Sequence, residues 1–267
     1  MTKLTNRKFA LRIVATLVLI ASLACAPGAI AGNTLSFPPT DFAIVEPTTH
    51  LAMGRGHYSI AATPFGPVVH GENRYDSGAS DVELAHLQSG PSGESPRLID
   101  FDHTFYKIDG SILLRSHLDL KTGYGTCIDN MSDPKLEQTD PLAIPPDTWA
   151  GASVAIPIQH MLHDGATGSQ PLHVFNCAPT PKIFAIQVNI DPAAKLWEPY
   201  GDALMVEVRP DFGWINILIA PFVPKLHAWF DPHDDWTFVG SESARYYKGP
   251  PIMLVKMRDA PTAQAKH

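Results

Sequence analysis

The sequence predicts a mainly β protein, built as a single large curved antiparallel sheet or half-open barrel with one short kinked helix. Three observations carry this reading. The 25 prolines and 19 glycines are scattered through all 267 residues, which cuts the chain into short runs and leaves no room for a helical bundle. Several of those runs alternate apolar and polar residues with the period of a strand. One stretch, residues 148–162, carries apolar residues at helical spacing instead.

At the N-terminus, residues 1–31 have the layout of an export signal: Lys3, Arg7, Lys8 and Arg12, then an apolar run from Ile13 to Ala26, then Ala29-Ile30-Ala31. Cleavage near Ala31 is expected, giving a periplasmic or secreted protein. The apolar run is shorter than the roughly 20 residues a spanning helix needs. A lipoprotein anchored through Cys25 is the alternative, but that signal wants Leu three places before the cysteine, and Ser22 stands there. No later stretch is apolar enough to cross a bilayer as a helix. Residues 32–54 read as an extended leader, 55–259 as the β-rich domain and 260–267 as a disordered tail.

Within the β-rich domain the clearest signal is a hairpin. Ile99, Phe101, His103 and Phe105 alternate with Asp100, Asp102 and Thr104, the turn Asp109-Gly110 follows, and Ile112 to Lys121 alternates again. Residues 172–177 and 183–190 pair in the same way around Pro179 and Pro181. Further strands are expected at 57–62, 68–75, 82–87, 203–209, 226–230, 236–239 and 252–257. For the helix, Asp147 is a candidate cap, Pro157 a break and Gly165 a stop, giving one kinked helix or two short ones.

Charge and cysteine content narrow the function classes. The export segment carries four basic and no acidic residues, so its loss moves the net charge from −7 to −11. Such a surface disfavours nucleic acid and anionic headgroups. Two cysteines remain, Cys127 and Cys177, and neither lies in a C-x-x-C motif; a structural disulfide between them is expected.

The catalytic and metal signatures are weak. His160, His163 and Asp164 cluster near the helix, but no Glu lies between the histidines as a metalloprotease requires. Asp231 to Asp235 reads as a turn rather than a cation loop. Gly151 to Ala155 lacks the second glycine of a nucleophile elbow. Phosphate-binding glycine patterns are absent, and no cofactor is expected. An apolar stretch remains, Phe212 to Val223, with Trp229, Phe230, Trp236 and Phe238 close behind it. It suits a doubly buried strand or the lining of an apolar cavity.

Pro145-Pro146-Asp147-Thr148 before the helix, and Trp229-Phe230-Asp231 followed by Gly249-Pro250-Pro251, resemble uncharacterised bacterial periplasmic β-rich proteins. Those are similar in layout to the lipoprotein carriers of the Lol pathway, whose half-open barrel and helical lid hold acyl chains. The resemblance spans roughly residues 55–257, implies a carrier fold and brings no site residue with it. The expected function is binding or carriage of an apolar, lipidic or acylated ligand without chemistry, with Trp149, His103, His117, Trp214 and Phe222 as candidate contacts. Two alternatives stay open: a metal-assisted hydrolase using His160, His163, Asp164 and His233 or Asp235, and an envelope module that offers aromatic side chains to a partner.

Overall fold

The computed structural model describes residues 39–90, 95–192, 202–211, 226–247 and 249–257. The first eight strands form a meander: Thr40–Val45 (β1), Ala52–Thr63 (β2), Gly66–Tyr75 (β3), Ser80–Gln88 (β4), Arg97–Tyr106 (β5), Ile112–Asp119 (β6), Tyr124–Asp129 (β7) and Leu136–Pro141 (β8). Each pairs antiparallel with the next. Tight turns set the register, and Gly110 adopts a φ of 77° where the β5–β6 hairpin reverses.

The second half of the sheet, also a meander, is interrupted by a short helical segment between its first two strands. Its strands are Thr148–Ala150 (β9), Gly168–Cys177 (β10), Pro181–Ile190 (β11), Leu204–Pro210 (β12), Leu226–Asp231 (β13), Thr237–Ala244 (β14) and Pro251–Lys256 (β15). Pro181 and Pro251 open their strands and Pro210 closes one, positions where a missing N–H disturbs the ladder least. β15 returns to pair antiparallel with β1. The two meanders therefore fuse along β1 and β15 into one 15-stranded sheet among the described residues, with β8 at one end and β9 at the other. Every neighbouring pair is antiparallel except β9 with β10, which is parallel.

The sheet curls until its ends face each other. Phe101 on β5 meets Phe175 on β10 edge to face, with ring centroids 6.3 Å apart, and Cys127 on β7 is bonded to Cys177 on β10. Val69, Phe101 and Leu118 from the first meander share one core with Trp149, Leu172, Val188, Val206 and Phe230 from the second. Residues Ala155–His163 form the helix α1, which inserts Ile156, Ile158 and Leu162 into that core. The large apolar interior is thus occupied by the protein's own side chains. Among the described residues no helix is long and apolar enough to cross a membrane.

Four details differ from the sequence expectations. Residues 40–45, inside the segment read as a leader, form β1 and bury Phe42 and Ile44. A bulge opposite His86 and Leu87 breaks the alternation in β5, so Leu98 rather than Ile99 turns inward near Phe101. Asp147 does not cap a helix: Thr148–Ala150 is a strand, and the Asp147 carboxylate is taken by His173 Nδ1 at 2.9 Å. The helical part is two short pieces, one of the two expected arrangements, with a 3-10 turn over Gly151–Val154 and then α1; the role of Pro157 is what differs. Pro157 breaks neither, because it lies in the first turn of α1, where its missing N–H has no helical partner to lose.

Candidate functional site

One inward-facing row of the curled sheet is polar. Register places Tyr58, Gly71, Glu83 and His103 side by side on β2 to β5, and two residues along the strands it places Asn73, Asp81 and Phe105 together. Further along the same face stand the apolar Val69, Ala85 and Phe101 of the core. Strand alternation therefore carries the charges of Asp81 and Glu83 into the interior; both side chains are buried. Gly71 leaves the space that the Tyr58 ring fills, since a Cβ there would stand 2.6 Å from that ring.

The buried charges are paired, as their desolvation requires. Asp81 accepts from Asn73 Nδ2 at 2.9 Å and from the Tyr75 hydroxyl at 2.9 Å, and His103 Nε2 lies 3.0 Å from its Oδ1. Glu83 accepts from the Ala152 backbone N–H at 2.7 Å and lies 3.6 Å from His103 Nδ1. Phe105 packs on the imidazole with centroids 4.2 Å apart. Burial pushes the Glu83 carboxyl up, by more than His103 and the Ala152 N–H pull it down. Burial alone would pull His103 down, but the Asp81 hydrogen bond and the charges of Glu83, Asp81 and Asp102 outweigh it and raise its pKa. Tyr58 and Tyr75 are both pushed up, first by burial and then by Asp81.

This cluster reaches the surface through Arg245. Strand direction sends the β1–β2, β3–β4, β5–β6, β7–β8 and β14–β15 turns to one end of the sheet. There Arg245 and Tyr246, from the β14–β15 turn, fold over the polar row. The guanidinium sits 3.5 Å above the Tyr75 ring centroid, and Tyr246 meets Phe105 edge to face at 5.6 Å. Beside them lies an open depression of about 460 Å³, walled by Ala79, Tyr106, Ile108 and Leu113, with Ser77, Lys107, Asp109 and Arg245 supplying its polar groups. Ile108 is 73% exposed.

The sequence-predicted residues are dispersed. His103 belongs to the buried cluster. His117 pairs with Asp102 in the β5–β6 register and so lies on the opposite face, where its Nδ1 bonds the Phe101 carbonyl oxygen at 3.0 Å. Trp149 is 5% exposed within the core. Trp214 and Phe222 lie outside the described residues. His160 has its pKa lowered by burial, His163 Nε2 lies 3.5 Å from Asp235, and the Asp164 N–H donates to the His160 carbonyl at the end of α1. His233 stands 4.0 Å from Asp202. No group of three or more His, Cys, Asp or Glu among the described residues is placed to hold a metal ion.

Asp81, Glu83, Tyr75 and Arg245 escaped the sequence reading. Their one signal was that Asp81 and Glu83 share a strand face with Ala85 and Leu87, both buried.

No protein-family model and no curated protein matches the chain. A solved structure, described as a beta-barrel-like protein of a domain of unknown function, DUF1849, from Brucella abortus, is 10% identical. It matches over 82% of this chain and 95% of its own, with a TM-score of 0.48.

Proposed function

We propose that the protein is a periplasmic or secreted carrier that binds a lipidic or acylated ligand at the turn end of the sheet, by shape and burial rather than by chemistry. The observation that carries this is the apolar-walled depression of about 460 Å³ between Ala79, Ile108, Leu113 and Arg245. Its volume lies within the range of small-molecule sites. Each methylene buried there contributes about 0.8 kcal/mol, so part of an acyl chain suffices for useful affinity. Because the core is filled by side chains of both meanders, this reading takes the rim rather than the inside of the shell as the site. The export signal read at residues 1–31 and the Cys127–Cys177 bond both suit an oxidising compartment.

The test uses the protein exported from its full-length chain. Native mass spectrometry and titration with Nile red and medium-chain fatty acids should show one bound apolar ligand. Ile108→Asp, at an exposed turn, should weaken binding about tenfold or more through the loss of buried apolar area. A protein that binds no apolar probe, or a variant that binds as wild type does, overturns the reading.

A further inference from the structure

We infer that this site, read as an amphiphile-binding site, selects a ligand whose head is an oxyanion, a carboxylate or a phosphate, and that Arg245 is the residue that recognises it.

The guanidinium is charged at every accessible pH and offers five N–H donors in a fixed plane. Here the plane is held from below by the Tyr75 ring, itself anchored through its hydroxyl to Asp81. Tyr246 flanks it, with its ring centroid 5.6 Å away. Nε and Nη2 of Arg245 are buried, and neither has a hydrogen-bond partner among the described residues. A charged donor left this way costs more than a neutral one, so an acceptor delivered to it is bound strongly.

Three carboxylates of this region are already engaged. Asp81 is held by Asn73, Tyr75 and His103, and Glu83 by Ala152 and His103. Asp109, the acidic residue lining the depression, is bound by its own turn through the Ser111 N–H at 3.0 Å and hydroxyl at 2.7 Å. With Lys107 beside Arg245 the depression carries two positive charges against one negative, in a chain whose net charge is −7. An oxyanion fits that spot and an ammonium does not.

The experiment compares dodecanoate, dodecyl phosphate, dodecanol and dodecylamine by displacement of Nile red from the exported protein. Wild type should bind at least one of the two anions roughly tenfold or more tighter than dodecanol, as charge-assisted hydrogen bonds imply, and dodecylamine most weakly. The preferred anion identifies the head. Arg245→Met should bring the anions level with dodecanol. Arg245→Lys, which keeps the charge but not the planar fork, should retain part of the preference. Equal binding of all four by wild type sinks the inference and leaves amphiphile binding standing. Binding of none removes both. The head-group comparison in wild type stands even if Arg245→Met does not fold.

Discussion

His103 on β5 and Asp81 on β4 share a hydrogen bond of 3.0 Å on the inner face of the sheet, and Glu83 approaches the same imidazole from the other side. Folding therefore raises the proton affinity of His103, and burial raises that of Glu83.

Stability linked to these two groups should fall as pH rises. The folded pKa of His103 lies above its ordinary 6.5, so its contribution is complete below that value and is lost as pH climbs through the folded value. Glu83 acts in the same direction from a lower start: its cost sets in as pH rises past 4.5 and the buried carboxylate must ionise. His160, with its pKa lowered, opposes them. The diagnostic quantity is the difference in urea unfolding free energy between wild type and His103→Asn. It should shrink from about pH 6 to about pH 9; a difference that grows with pH contradicts the pairing.

Removing the carboxylate that holds the imidazole should be severe. Asp81→Asn is expected to cost on the order of 3 kcal/mol, since it removes the buried carboxylate that Asn73, Tyr75 and His103 share. Chemical denaturation at neutral pH measures this, and a loss under about 1 kcal/mol would mean that the cluster is well solvated.

The disulfide closes 50 residues of chain. Replacing both Cys127 and Cys177 with serine should lower stability by about 4 kcal/mol on the chain-entropy account. Urea unfolding of the double variant, beside wild type with and without dithiothreitol, tests it. Coincident curves would show that packing alone keeps the sheet ends together.

Gly71 and Tyr58 form a size-matched pair. Gly71→Ala forces the Tyr58 ring to move and should cost about 1–3 kcal/mol. Tyr58→Leu frees that space, so the double variant should be less destabilised than the sum of the singles, as thermal unfolding of all four proteins would reveal. Strict additivity would deny the contact.

Trp149 separates packing from ligand contact. Buried in the core, it should cost about 3–5 kcal/mol when changed to alanine. Trp149→Phe should leave dodecanoate affinity unchanged, because the rim site does not include it. A large affinity loss in that variant would bring the ligand inside the shell.

Much of the architecture was legible because local patterns decide it. The β5–β6 hairpin followed from alternation around Asp109-Gly110, the β10–β11 pair from two apolar runs around Pro179 and Pro181, and the disulfide from a two-cysteine count. The Ile99 register was lost because a bulge leaves no trace in a hydrophobic pattern. The site itself was hidden for a different reason. Asp81 and Glu83 look like solvent-facing charges beside Val82 and Leu84, and only curling of the sheet inverts that assignment. Arg245 meets Tyr75 across three intervening strands, a relationship that no local window contains.

The pairing of β1 with β15 also fixes an order of events. The hairpins of each meander join neighbours in sequence and need only short loop closures, whereas the seam between the meanders needs the last strand to be present. Until then Phe42 and Ile44 lack Ile252 and Leu254, and the margins of β1 and β14 that β15 covers are unpaired. A chain cut short before Pro251 never passes that checkpoint, so its failure would be one of assembly timing rather than of any missing ligand contact.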